Sequence, residues 1–311
     1  MRHHIFYHMD ADGHASAGVV QEFLERTQGK DVDIRFQPIN YGMKPRLNEI
    51  QNDDYVYMLD FCLQPAREMH DFVYYCGRHR CRLTWIDHHA TTFETLNEYP
   101  ELKQVPGVRT HEKKAGCEVT WEFYNAGRPT PKLITLISDW DTFRRHDLEE
   151  WDKFVVPLQA YLRYLRSDPK HNRDLWVKLL RGNQETFLKE VEDKGGMLAT
   201  YQKQLDDSKM NGFSRRGTFA GYKARILNSP QVNSTPFERM KDFTDTDVSV
   251  AWVYTRQGQF SVSIYTTKPE IDAGALCKRL GEEGPYKSGG GHAGAAGFQT
   301  DWEHLSSLMQ F

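Results

Sequence analysis

In the segment WIDHHA the apolar pair Trp85-Ile86 is followed at once by Asp87, His88 and His89. All three side chains can ligate a metal, and they leave together what reads as one buried strand tip. Three other short apolar runs end in the same way. IFYHMDADG delivers His8, Asp10 and Asp12, YVYMLDF delivers Asp60, and LITLISDWDTF delivers Asp139 and Asp141. Side chains at i, i+2 and i+4 of an extended segment point the same way, which turns His8, Asp10 and Asp12 toward one cavity. Carboxylates and imidazoles crowded in this manner repel one another unless cations sit among them. Oxygen ligands with a little nitrogen suit Mn²⁺ or Mg²⁺ better than a structural zinc site, which would recruit Cys. Six or so candidate ligands exceed the needs of one ion with open coordination positions. The pattern therefore predicts two divalent ions roughly 3.5–4 Å apart, and with them phosphoryl chemistry.

For four acid-bearing tips to share one site, the runs must lie side by side, because ligands of an open α/β sheet bind outside the carboxyl ends of its strands. Strands are expected over His4 to Met9, Asp31 to Asn40, Asn52 to Asp60 and Arg82 to Asp87, with the run between Lys132 and Asp141 as the last. Helices are expected after DADGHASAG and over Pro65 to Arg78, and AGCEVTWEFY reads as another helix start. The small residues at Gly13 and Ala15 to Gly18 let a helix amino terminus approach a bound phosphate. Apolar strands alternating with helices predict a parallel, doubly wound sheet. Thr91 to Val108 is loop-rich, and Leu148 to Lys209 is helical with aromatic and leucine stripes that belong to a core. Gly195-Gly196 is expected to interrupt a helix there, and Met210-Asn211-Gly212 to end it. The expected organisation is a first domain over 1–187, a helical linker over 188–213 and a smaller α/β domain over 214–311. In the second domain a strand is expected over Gly217 to Leu227 and a helix over Thr235 to Lys241. VSVAWVYTRQGQFSVSIY reads as a hairpin turning near Gln257-Gly258, followed by a helix over Asp272 to Leu280.

Beyond that helix lies Gly289-Gly290-Gly291-His292. A run without side chains lets backbone N–H groups cradle a phosphate or carboxylate, and His292 can donate to the same anion. Glycine clusters also make tight turns for purely structural reasons.

The order HxDxDG (His8, Asp10, Asp12), a lone Asp60 after an apolar strand, then Asp87-His88-His89, then SDWDTF, resembles the DHH phosphoesterase superfamily. KSGGGHAGAAGF, Lys287 to Phe298, resembles the glycine-rich signature of the accompanying DHHA1 domain. The resemblance implies His8 and Asp10 on one metal, Asp12, His88 and Asp141 on the other, and Asp60 bridging them. Asp141 is preferred to Asp139 because related proteins place the ligand before a Thr or an aromatic, as Thr142 and Phe143 stand here. Asp87 would support His88 as its hydrogen-bond partner or act as a weak ligand, and His89 would touch the scissile phosphate or the leaving group. Gly289, Gly290, Gly291 and His292 would hold the far end of the substrate. Related domains carry an SxR pattern on the preceding strand, where this chain has Ser263-Ile264-Tyr265. Tyr265 offers a hydrogen bond or a stacking face without charge, so the phosphate grip would weaken or pass to Lys268 or Lys287.

Among such proteins the nanoRNases fit best: a phosphodiesterase dependent on two metals, Mn²⁺ first with Mg²⁺ or Co²⁺ as alternatives, that cuts short RNA or DNA oligonucleotides or linear dinucleotides to mononucleotides. Alternatives are a nucleotide 3′-phosphate phosphatase, a cyclic-dinucleotide phosphodiesterase and, outside enzymes, a nucleotide sensor. A sensor should have lost ligands, and every expected position is filled. The chain has 311 residues, 39% of them hydrophobic, and a net charge of −3. That length supports two domains, and the charge does not describe a protein that coats long nucleic acid. Five cysteines without CxxC spacing suit a reduced cytosol. No apolar segment of membrane-spanning or leader type is evident, so a cytoplasmic protein with no membrane partner is expected, with room for a homodimer.

Overall fold

Of the four apolar runs that end in acids, three become neighbouring strands and the fourth becomes a helix. The computed structural model describes residues 1–230 and 232–311. Strand β1 (His3–His8), helix α1 (Ala11–Gln28), β2 (Ile34–Ile39), β3 (Tyr55–Leu59), α2 (Ala66–Arg78) and β4 (Arg82–Ile86) follow the expected rhythm. All four strands are parallel, in the order β2-β1-β3-β4. Alternate strand positions serve opposite faces. Ile5, Tyr7, Tyr57 and Leu59 pack with Ala17, Val20 and Leu24 of α1, whereas Phe6, Val56, Met58 and Trp85 pack with Met69 and Phe72 of α2. Burial of each such side chain contributes about 1.5–3 kcal/mol. Trp85 keeps its indole hydrogen bond while fully buried, donating to the Phe61 carbonyl at 3.0 Å.

Register decides where the polar residues emerge. Leu59 pairs with Tyr7 of β1 and with Ile86 of β4. His8, Asp60 and Asp87, each one residue further on, therefore leave the carboxyl edge level with one another. The chain reverses its direction of sheet growth between β1 and β3, and open α/β sheets bind ligands at such a point.

Helices α3 (Ala90–Glu98), α4 (Gly116–Tyr124) and α5 (Lys132–Asp141) follow. Two expectations are corrected here. Thr91 to Val108 is not mainly loop, because α3 and a 3₁₀ turn over Pro100–Gln104 occupy most of it. Thr92, Thr95, Leu96 and Leu102 are buried, and this helical spacing is masked in the sequence by polar neighbours. The run Lys132–Asp141 is a helix rather than a fourth strand. Leu133, Ile134, Leu136 and Ile137 all face one core with Ala15 and Val19 of α1, a period of three to four that a short apolar run does not distinguish from a buried strand.

Helices α6 (Leu148–Glu150), α7 (Val156–Tyr164), α8 (Leu175–Arg181), α9 (Gln184–Glu190) and α10 (Gly196–Phe213) complete the expected helical stretch, with wider π turns at Trp151–Val155 and Val191–Gly195. Gly195-Gly196 therefore lies at a widened turn in a continuing helical run. Met210-Asn211-Gly212 forms the last turn of α10, which ends at Phe213. The chain forms two compact units, Met1–Ala199 and Thr200–Phe311, divided within the helix that the expected linker covers.

The second unit holds β5 (Ser214–Phe219), β6 (Tyr222–Asn228), α11 (Thr235–Glu238), β7 (Val248–Tyr254), β8 (Phe260–Tyr265), α12 (Ala273–Glu283), β9 (Gly289–His292), β10 (Ala295–Thr300), α13 (Trp302–Leu308) and β11 (Met309–Gln310). Its sheet runs β11-β5-β6-β7-β8-β10-β9. Gly217 to Leu227, expected as one strand, is interrupted by the turn of the β5–β6 hairpin, which closes at Ala220 and Gly221, both at positive φ (49° and 86°). Two such residues make the tight turn whose twist matches antiparallel strands. The β7–β8 hairpin turns around Gly258 as expected.

Candidate metal centre

Three strand ends and two helices bring the acids and imidazoles together. His8 ends β1, Asp10 caps α1, Asp12 lies in the first turn of α1, Asp60 follows β3, Asp87 to His89 join β4 to α3, and Asp141 is the last residue of α5. The extended-chain account of His8, Asp10 and Asp12 is corrected in part, because Asp12 is already helical. A helical turn brings it to the same place.

Ligand atoms within 4.8 Å of one another form the sets His8, Asp10, Asp60 and Asp12, His88, Asp141, with a third set of Asp60, Asp87, His88 and His89. Asp60 joins them. Its Oδ2 is 3.8 Å from His8 Nδ1, and its Oδ1 is 3.2 Å from His88 Nε2. His88 Nε2 also lies 3.6 Å from Asp12 Oδ2 and 3.4 Å from Asp141 Oδ2, while His8 Nδ1 is 2.8 Å from Asp10 Oδ2. Both Asp60 oxygens and His88 Nε2 are buried without a hydrogen-bond partner, whereas His8 Nδ1 has Asp10 beside it. Orphaned buried polar atoms are rare and call for an ion, water or functional role. Three of them converging, with hard oxygen and imidazole donors, fit divalent cations.

The electrostatics agree. Burial, and then the neighbouring Asp12 and Asp10, push the carboxyls of Asp60 and Asp141 well above the ordinary range. Burial lowers His88, which favours the neutral imidazole that a metal requires. Asp60 also occupies the left-handed backbone region at φ 54°, uncommon for a residue with a side chain and frequent at functional sites.

Surrounding groups hold these ligands. Backbone N–H groups of Gly116 and Cys117, at the start of α4, donate to the two oxygens of Asp12 at 2.7 Å each. A Cβ on Gly116 would stand 2.7 Å from the Cβ of Asp60, so only glycine admits this approach. AGCEVTWEFY announces a helix start here but not its purpose, for which the Ala115-Gly116 pair is the one signal in the sequence. Asp87 is completely buried. It accepts from His89 Nδ1 at 2.7 Å, from the His88 backbone N–H at 2.8 Å and from the Thr92 hydroxyl. Asp87 therefore supports His89, which corrects the expectation that it supports His88. Burial opposes ionisation of both partners, yet their mutual attraction brings Asp87 down to about 2 and His89 up to about 9. Asp139 faces away from the centre, with Arg144 Nε at 2.8 Å and Arg144 in turn on Glu118.

In the second unit, Gly289 to His292 forms an edge strand paired with β10 rather than a loop. Packing accounts for two of its glycines. A Cβ on Gly289 would meet the Cys277 carbonyl at 2.1 Å, and one on Gly291, at φ 144°, would meet Ala296 at 2.7 Å. Gly290 has open space around it and φ 152°. His292 is exposed at the end of this strand. The Tyr265 hydroxyl donates to the Val232 carbonyl at 2.7 Å. Lys268 and Lys287 donate to the carbonyls of Thr244 and Glu282.

No model of a known protein family matches the chain. An uncharacterized protein of Acanthamoeba polyphaga mimivirus is 24% identical over 221 residues, covering 68% of this chain and 46% of that protein. The chain thus matches about half the length of this relative. Solved structures with similar folds include the DHH domain of a member of a ribosomal protein family (TM-score 0.66, 10% identity, 99% of this chain and 84% of that one). RecJ of Thermus thermophilus in complex with Mn²⁺ is similar at TM-score 0.57 and 15% identity over 99% of this chain and 50% of that one. The pGpG-specific phosphodiesterase PggH of Vibrio cholerae is similar at TM-score 0.53 and 12% identity, over 99% of this chain and 96% of that one. The chain shares the fold of these DHH-type structures. Among the described residues no helix is long and apolar enough to cross a membrane.

Proposed function

We infer that the chain is a phosphodiesterase dependent on two divalent ions, Mn²⁺ foremost, which hydrolyses short oligonucleotides or linear dinucleotides to mononucleotides in the cytoplasm. The observation that carries this reading is Asp60, whose two unpartnered oxygens face separate ligand sets built on His8 and on His88. Bound ions would supply a hydroxide near neutral pH and neutralise charge on the phosphate. His8, Asp10 and one Asp60 oxygen would hold one ion; Asp12, His88, Asp141 and the other Asp60 oxygen would hold the second. Asp87 takes the Nδ1–H of His89, which fixes that ring and leaves Nε2 to donate to a phosphate oxygen or to the departing oxygen. The amino terminus of α4 fixes Asp12, so little reorganisation accompanies binding. The complete ligand set favours an enzyme over a sensor. In the second unit, His292 and the accessible backbone at Gly290 are candidates for a substrate anion, whereas the hydroxyl of Tyr265 is committed to Val232.

The test is hydrolysis by metal-stripped protein with Mn²⁺ restored. The panel comprises end-labelled RNA and DNA of two to about twenty nucleotides, a nucleoside 3′,5′-bisphosphate, cyclic dinucleotides and pyrophosphate. Preference for the shortest linear oligonucleotides is expected. Turnover of the bisphosphate or cyclic compounds alone would replace this substrate with theirs, and no turnover at all would favour a sensor.

A further inference from the structure

A cavity of about 470 Å³ adjoins the metal centre in the first unit. Asp10, Asp12 and Asp141 line it together with Trp140, Arg163 and Arg166. Its volume lies within the range of small-molecule sites. The three acids belong to the metal centre, so the cationic character of this cavity comes from the two arginines.

Arg163 stands in the last turn of α7 and Arg166 just beyond it. Three other arginines of this unit, by contrast, are committed: Arg144 to Asp139 and Glu118, and Arg26 and Arg181 to Glu22. Among the described residues neither Arg163 nor Arg166 has an ion pair or side-chain hydrogen bond, and both are exposed. Arg166 closes the helix at φ 53°, with Ser167 N–H donating to the Leu162 carbonyl at 3.1 Å. That position favours glycine or asparagine, so helix-ending chemistry does not explain an arginine there. The segment beyond it is held firmly. Trp176 donates to the Ser167 carbonyl at 2.6 Å, His14 and Ser167 are 3.1 Å apart, and Asp168 accepts from the Tyr7 hydroxyl and the Lys170 N–H. Asp168, the other acid in this wall, is therefore occupied by donors of its own.

We propose that Arg163 and Arg166 bind a second, non-scissile phosphate of the substrate, so that the first unit anchors both the phosphate to be cut and its neighbour. Guanidinium groups match phosphate oxygens in bidentate geometry. Preference for a dinucleotide with a 5′-phosphate over one without it would follow. This inference rests on the phosphodiesterase reading above.

The experiment compares wild type, R163Q/R166Q and R163K/R166K with Mn²⁺, on a dinucleotide with and without a 5′-phosphate. Calorimetry with a phosphorothioate-linked, 5′-phosphorylated analogue gives binding apart from turnover, and thermal melts verify folding. In the Gln pair, KM for the phosphorylated substrate should rise ten- to a hundredfold with kcat changed less than threefold, affinity for the analogue should fall in parallel, and the preference for the 5′-phosphate should disappear. The Lys pair should recover part of the affinity. If wild type turns over both substrates and the Gln pair keeps KM, analogue affinity and preference, the second-phosphate site is overturned while the phosphodiesterase reading stands. If wild type hydrolyses neither, that reading fails and the site falls with it.

Discussion

Asp60 concentrates the chemistry at the scale of single residues. Its carboxylate is buried, carries no hydrogen bond and is surrounded by other acids, an arrangement that costs stability until cations arrive. D60N should therefore raise the melting temperature of metal-stripped protein while abolishing most of the gain on adding Mn²⁺. For wild type that gain should be about 2.7 kcal/mol per bound ion at a hundredfold excess over its dissociation constant. Scanning calorimetry with and without metal checks both signs, and an equal Mn²⁺ response in the variant would contradict the bridging role. Asp139 and Asp141 separate in the same way. D141N should weaken Mn²⁺ binding and turnover by at least tenfold. D139N should keep metal stoichiometry and lose about 1–3 kcal/mol of stability, because Arg144 loses a charged partner in a largely buried setting.

At the scale of elements, the strands were legible because apolar runs ending in acids leave few alternatives for β1, β3 and β4. Helix α5 was not, since a ten-residue apolar run satisfies both a buried strand and a buried helix, and only packing against α1 decides. An extended chain and a helical turn both bring Asp12 to the site, and the first turn of α1 is what carries it there. The contribution of α4 was hidden for another reason: it acts through the backbone of Gly116 and Cys117, which no side chain advertises. Adding a methyl at Gly116 would force Asp60 and α4 apart. G116A should lower turnover at least tenfold and lower the melting temperature, as steady-state kinetics and thermal melts would show. Arg163 and Arg166 are not legible in the sequence, because one arginine in the last turn of a helix and another just past it resemble any solvated surface.

On the scale of the whole molecule, the chain divides into two compact units, Met1–Ala199 and Thr200–Phe311, inside a helical stretch. Asp242 ties part of the second unit together by accepting from Arg216 on β5 and Arg225 on β6. Burial works against its charge, but those two guanidinium groups hold its carboxyl below the ordinary value of 3.8. A carboxyl with a lowered folded-state pKa contributes stability above its unfolded value and loses it as pH falls through the folded one. The stability difference between wild type and D242N should therefore be constant near neutrality and shrink below about pH 4. Denaturant melts across pH 3 to 7 would reveal it.

The central claim is that two divalent ions share Asp60. Anomalous diffraction from crystals soaked in Mn²⁺ tests it most directly. Two peaks roughly 3.5–4 Å apart, one beside His8 and Asp10, the other beside Asp12, His88 and Asp141, with Asp60 between them, are the predicted result. A single peak, or peaks that leave Asp60 without a metal, would contradict it.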